Sequence, residues 1–244
     1  LLPPADRAPH RPSGQAPRGS PLGSALEVAA AVLFAAFVKG AIGFGFPALA
    51  TPLLALVIDV KTAVVGLIVP NIAMDGLQAM RRGGFVEGLR RFGGLLMFGA
   101  IGTVVGTHLL VALPSRVVTL ILGCFVVVFV LLNATRFTPK VPPGWERWIA
   151  GPVGFVAGIL GGITNVPGTP LVLYFYALGL AKQEFVRAVA ITFLIYKLVQ
   201  LGAVLAYGLL TWSVTGVSVG LSAVALGGFA LGLRRGGTDS TFRL

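Results

Sequence analysis

Charge is what this sequence has least of. Asp, Glu, Lys and Arg make up 11% of its 244 residues, against roughly 25% in an ordinary soluble domain. With 56% apolar residues and a mean hydropathy of +0.91, it has too little polar surface to cover a water-facing fold. A soluble globular domain is excluded, and the bilayer must solvate most of the chain. Cysteine is almost absent too: Cys124 stands alone and cannot close an intramolecular disulfide. Two histidines, His10 and His108, do not join it at zinc-site spacing. The chain carries no Gly-Lys-Ser/Thr phosphate loop, no His-Glu-x-x-His, no Gly-x-Ser-x-Gly and no nucleophile beside a base. Neither an ATP-driven pump nor an enzyme is expected, and no metal or cofactor.

Glycine, by contrast, is plentiful at 34 residues, about twice the usual ~7%, which suits helices packed backbone to backbone in lipid. The net charge of +11 would suggest nucleic acid in a soluble protein. In a membrane protein cations first report topology, so no nucleic-acid partner is inferred. Residues 1–21 hold six prolines and three arginines without an apolar run and read as a disordered tail. Nine apolar stretches follow, at about 24–40, 41–58, 62–80, 92–113, 117–135, 148–163, 166–181, 186–207 and 211–233. Five reach the ~20 residues a spanning helix needs. The four short ones form two pairs, each broken in the middle by glycine and proline: Gly40-Ala-Ile-Gly43-Phe-Gly45-Phe-Pro47, and Gly158-Ile-Leu-Gly161-Gly162-Ile-Thr164-Asn165-Val-Pro167-Gly-Thr169-Pro170.

An offset of 118 superposes Gly40 on Gly158, Gly43 on Gly161 and Thr51-Pro-Leu on Thr169-Pro-Leu, which reads as an internal repeat. Gly102 and Gly106 match Gly228 and Gly232 at 126, so the second copy gains about eight residues in between. The copies are placed at 22–135 and 148–235, with a basic loop over 136–147 and a tail over 236–244; a last helix, the partner of 117–135, is missing from the second copy. If each broken pair returns to its starting side, twelve loop and C-terminal cations face one side and two, Lys61 and Arg116, the other. That asymmetry puts the Arg81–Arg91 loop in the cytoplasm and inverts the two copies in the membrane, a transporter signature.

Three ionisable residues fall inside apolar segments: Lys39, Asp75 and Lys197. At such depth each costs at least ~2.5 to 3.5 kcal/mol on insertion scales and needs a partner or a water-filled cavity. Between the two offsets Asp75 maps onto a window centred on Lys197, with Gln78 and Gln200 each one turn further. Asp75 then reads either as a salt-bridge partner of Lys197 that locks two helices or as a coupling site. Lys39 reads either as a snorkelling residue or as substrate charge. Pro70 and Asn71 read as a kink with its hydrogen-bond repair. Pro47 and Pro167 or Pro170 mark helix starts, so two N-termini should point toward the midplane from opposite directions and attract an anion. Gly40, Gly43, Gly45, Thr51, Gly161, Gly162, Thr164, Asn165, Thr169 and Lys197 are the expected substrate contacts. The alternative is that the glycines serve close helix packing alone.

The run Gly40-Ala-Ile-Gly-Phe-Gly-Phe-Pro-Ala-Leu-Ala-Thr-Pro-Leu-Leu-Ala, with Asp59-Val-Lys-Thr-Ala and Val69-Pro-Asn71, resembles the TauE/SafE sulfite exporter family of bacterial membrane permeases. Gly158-Ile-Leu-Gly-Gly, Thr169-Pro-Leu and Arg187-Ala-Val-Ala-Ile-Thr192 resemble its second repeat. The resemblance implies a multi-pass inner-membrane transporter, export or uptake of small anions such as sulfite and organosulfonates, and no catalytic motif. Expected partners are membrane lipid and a small anion, with homo-oligomerisation left open. The competing reading is a non-transporting scaffold subunit.

Overall fold

The computed structural model describes residues 21–81, 83–134, 140–142 and 144–236, and in them every regular element is a helix. Of the expected tails over 1–21 and 236–244, Pro21 and Gly236 are the first residue of α1 and the last of α11; the rest of both tails, and Arg82 and Arg136, lie outside the described residues. The order is α1 (Pro21–Ile42), α2 (Phe46–Ala55), α3 (Val60–Gly66), α4 (Ile68–Met80), α5 (Phe85–Arg91), α6 (Gly93–Ala112), α7 (Ser115–Ala134), α8 (Glu146–Thr164), α9 (Gly168–Ala177), α10 (Lys182–Ala206) and α11 (Trp212–Gly236). Among the described residues, seven segments are long and apolar enough to cross a membrane: α1, α3 with α4, α6, α7, α8, α10 and α11. Of the four segments expected to fall short, two reach spanning length, α1 with 22 residues and α8 with 19, while α2 and α9 have ten residues each. Ten residues make about 15 Å of helix against a hydrocarbon core of ~30 Å.

The join between α3 and α4 shows how a spanning segment is interrupted without leaving polar atoms bare. Pro70 has no N–H to give the Gly66 carbonyl one turn back. Ser218 on α11 donates its hydroxyl to that carbonyl at 2.7 Å, and the Asn71 amide donates to Leu67 O at 2.9 Å. The helix is interrupted at Leu67, and the expected hydrogen-bond repair is present, tying α3 to α11.

The internal repeat is visible in the helix boundaries, at an offset different from the expected one. α1 ends at Ile42 and α8 at Thr164; α2 and α9 begin at Phe46 and Gly168; α3 and α10 begin at Val60 and Lys182. Each pair differs by 122 positions, which makes Gly40 equivalent to Gly162, Gly43 to Asn165, Asp75 to Lys197 and Gln78 to Gln200. The offset of 118 is thus one helical turn short. Glycines recur every four residues on these faces, so a shift of four still lays glycine on glycine. Between α6 and α11 the 126 offset stands: Gly102 lies against Phe155 and Gly106 against Ile159, as Gly228 lies against Leu33 and Gly232 against Phe37. The second copy therefore gains four residues, not eight.

Two parallel glycine-lined helix pairs tie the copies together. A Cβ at Gly158 or Gly162 would run into the α6 backbone at Gly99 or Thr103, and one at Gly40 or Gly232 into the backbone of the facing helix. So α8 of the second copy lies on α6 of the first, and α1 of the first on α11 of the second. Between them α4 and α10 cross antiparallel: Gln78 reaches Val186 O at 3.4 Å, Gly76 lies beside Leu194, and Val65 and Ile68 cluster with Val204. Equivalent helices running in opposite directions are the mark of an inverted repeat.

One end of the bundle gathers the cations. Arg91 pairs with Glu184, Arg187 donates to Gly83 O at 3.5 Å, and Lys182 lies with Arg235 around one groove. At the other end Lys61 donates to Val111 O at 3.0 Å, and His108 meets the Tyr207 hydroxyl at 3.0 Å.

Candidate functional site

The backbone breaks first. After α1 the chain turns through Gly43 (φ 104°) and Gly45 (φ 98°), a left-handed geometry that costs glycine nothing. After α8 the equivalent of Gly43 is Asn165 (φ 70°), the one non-glycine residue with positive φ among the described residues. Asparagine tolerates this conformation best after glycine, and its side chain adds what Gly43 lacks. Thr164 stabilises the same turn, donating to Leu160 O at 2.7 Å and accepting from Val166 N at 3.2 Å. Its hydroxyl is engaged with the chain itself.

Each break is held by a glutamine from the crossing pair. Gln78 Nε2 donates to Gly43 O at 2.5 Å, while Gln200 Nε2 donates to Gly162 O at 3.1 Å and to Gly161 O at 3.4 Å. These carbonyls sit at helix ends, where the regular ladder runs out; Gly161 O also accepts from Asn165 N at 2.9 Å. The two glutamines are absent from the expected contacts, yet the sequence shows them: they are amides buried in apolar helices, one turn beyond Asp75 and Lys197. Gln78 lies on the cation-rich side of Asp75 and Gln200 on the opposite side of Lys197. The two breaks are therefore staggered in depth and do not meet head-on at one level, as the sequence had suggested.

The charges pair differently from the expectation. Asp75 is bonded to Lys39, not to Lys197, and both are fully buried. Lys39 is no snorkelling residue: it lies at 0% exposure, with its ammonium 5.8 Å from the centre of the Phe193 ring. Lys39 lies on the last turn of α1, so the ion pair joins the end of a broken helix to α4. Lys197, at 1% exposure, donates to Asn165 Oδ1 and to Gln200 Oε1, the latter at 2.6 Å. Both acceptors are neutral. Among the described residues the buried ionic groups are these two lysines and one aspartate, so the interior holds one more cation than anion.

Several buried polar atoms have no partner among the described residues, Asp75 Oδ2 and Asn165 Nδ2 of this cluster among them, with Thr51 Oγ1, Asn71 Oδ1, Gln78 Oε1 and Thr169 Oγ1. Buried polar groups are nearly always bonded, so such atoms make these residues candidates for contact with water or a ligand. α2 and α9 both begin without a side-chain cap, leaving backbone N–H groups at the ends where the helix dipole favours negative charge. Pro47 stands in the first turn of α2, and Thr169 and Pro170 in the first turn of α9. Gly168 lies next to the Phe193 ring, which connects the start of α9 to Lys39. Lys197, Asn165, Thr169, Lys39 and Asp75 thus belong to one neighbourhood. Gly40 departs from it, since its α-carbon faces the α11 backbone. Gly162 faces α6 and contributes its carbonyl instead; Gly161 faces Pro167 and does the same.

Among the described residues no group of three His, Cys, Asp or Glu converges to hold a metal. The arrangement offers a buried cation, hydroxyl and amide donors and helix N-termini, a set of groups suited to a small oxyanion. A family model described as sulfite exporter TauE/SafE matches residues 28–238. Neither a curated protein nor a solved structure gives a match.

Proposed function

The chain belongs to the TauE/SafE sulfite exporter family, a family of membrane transporters and not of enzymes, and from that premise we propose that it is a secondary transporter of sulfite or a short organosulfonate across the bacterial inner membrane. The substrate binds between the two staggered breaks, on Lys197, the free amide of Asn165, the Thr169 hydroxyl and the open N-terminus of α9. One observation carries this reading: Lys197 is fully buried, and its bonded partners are neutral amide oxygens. A buried cation without a counter-ion is costly, and a transient anion removes that cost when it arrives. Neutral or cationic solutes would leave it in place. The two glycine-lined helix units, each with one helix from either copy, would then rock about the fixed site, which opens to each side in turn.

The test is flux. In sealed proteoliposomes carrying the full chain, sulfite or a short sulfonate should move down its gradient and compete with other oxyanions. Intact, monodisperse protein that moves neither would leave a non-transporting membrane subunit as the better description.

A further inference from the structure

One side chain at the second break does two different things with its two ends. Gln200 Nε2 donates to Gly162 O at 3.1 Å and to Gly161 O at 3.4 Å, and Gln200 Oε1 accepts from Lys197 at 2.6 Å. Two carbonyls against one end fix the amide's orientation, since only the nitrogen can donate. In the first break the two roles come apart. Gln78, the equivalent of Gln200, donates Nε2 to Gly43 O at 2.5 Å, but one turn back stands Asp75 in place of a lysine, and Gln78 Oε1 has no partner among the described residues. Holding a carbonyl is thus common to both breaks, whereas holding an ammonium belongs to the second alone. The contact with Lys197 is not something the building of a break requires.

An amide at position 200 decides what charge the second break presents. A lysine ammonium has three N–H donors and no acceptor. Two of them reach Asn165 Oδ1 and Gln200 Oε1, which leaves one to give. Both bonds locate the ammonium, and neither cancels its charge. A carboxylate at 200, of the same length and shape, would pair with Lys197 and set an oxygen against the carbonyls of Gly161 and Gly162. The ionisable side chains buried with Gln200, among the described residues, are Lys197 on its own helix, Asp75 on α4 and Lys39 on α1; α8, α9 and the turn between them bring the neutral Thr164, Asn165 and Thr169. Asp75 is bonded to Lys39. Position 200 is therefore where a counter-ion for Lys197 could be built into the chain, and the chain has a neutral side chain there.

We propose that Gln200 sets the charge specificity of the anion site: its neutral oxygen positions Lys197 without supplying a counter-ion, which keeps that charge open to the substrate, and in this it rests on the anion-transport reading above. Methanesulfonate and dimethyl sulfone test it, because they differ by a methyl group in place of one oxygen and by one unit of charge. Binding of each to the purified full chain in detergent is followed by ligand-detected NMR. The parent should prefer methanesulfonate. Gln200→Glu should weaken methanesulfonate about tenfold or more, to the level of dimethyl sulfone, and leave the sulfone itself little changed. Gln200→Met, which keeps the length and adds no charge, should retain the preference for the anion. A folded Gln200→Glu with the parent's preference would overturn the proposal, and so would loss of the preference in both variants alike, since the amide would then serve only the shape of the break. Failure of Gln200→Glu to fold, with or without Gln200→Met, would overturn it as well, because a carboxylate at 200 would then not be a counter-ion that Lys197 accepts. A parent that binds methanesulfonate no better than dimethyl sulfone would overturn the anion-transport reading itself, and the role of Gln200 with it.

Discussion

At the scale of single residues, three buried ions divide into a closed pair and an open cation. Breaking a buried ion pair by removing one partner costs about 3 to 5 kcal/mol, whereas replacing both partners by apolar groups is often close to neutral. Lys39→Met or Asp75→Leu alone should therefore lower the thermal midpoint and the yield of monodisperse protein, and the double variant should recover most of the loss. Single variants as stable as the parent would show that water, not the partner, solvates the remaining charge. The pair Lys39→Met with Asp75→Asn keeps side-chain bulk without any ionisable group. If Asp75 carries a coupling proton, anion flux in this variant loses its response to an imposed pH gradient; an unchanged response removes Asp75 from coupling. Lys197→Gln addresses the open cation. A charge-assisted hydrogen bond is worth about 1.5 to 3 kcal/mol, so anion affinity should fall roughly 10- to 150-fold while the protein stays folded. Affinity equal to the parent's would mean that the anion site rests on backbone N–H groups and the neutral donors of Asn165 and Thr169.

At the scale of elements, the glycines separate into two kinds that sequence alone treats alike. Gly102 and Gly232 lie where a Cβ would meet a backbone carbonyl on the facing helix, while around Gly123 and Gly227 nothing lies within 4 Å. Gly102→Ala and Gly232→Ala should destabilise by about 1 to 3 kcal/mol through overpacking. Gly123→Ala and Gly227→Ala should be neutral or slightly stabilising, since alanine is the better helix former. Equal effects at all four positions, read as shifts in thermal midpoint, would remove the backbone contact as the explanation. The same residues explain how far the sequence could be read. The helix breaks, the half-length α2 and α9 and the hydrogen-bond repair beside Pro70 were legible, because proline and glycine act locally. Which lysine meets Asp75 was not, because that depends on where the end of α1 lands against α4, a long-range fact. The repeat offset was missed by one turn because small residues on a tight helix face recur at the spacing of the turn itself. The Gly66 carbonyl's partner, Ser218, lies 152 positions away in sequence, and no local pattern announces it.

At the scale of the whole molecule, the two copies do not form separate halves. α1 lies on α11 and α6 on α8, so each glycine-lined unit takes one helix from either copy, with α4 and α10 crossing between the units. Any rocking motion must move these mixed units, and its two openings are the two ends of the bundle. The ends differ in charge. Arg81, Arg90, Arg91, Arg147, Lys182, Arg187, Arg234 and Arg235 belong to the loops and helix ends of one side, Lys61 and Arg116 to the other. Cations in short loops are retained in the cytoplasm, so the cation-rich end is proposed to face the cytoplasm and the other end out. Glu87 in α5 and Arg116 at the start of α7 are exposed on opposite ends, so they can report this orientation without touching the buried ions. In a Cys124→Ser background, Glu87→Cys should resist an impermeant thiol reagent in intact cells and react after permeabilisation, while Arg116→Cys should react in intact cells. The reversed pattern would turn the whole assembly over. Labelling of both positions from outside would contradict the geometry itself, because the spanning helices α6 and α3 with α4 keep the two ends a full membrane apart.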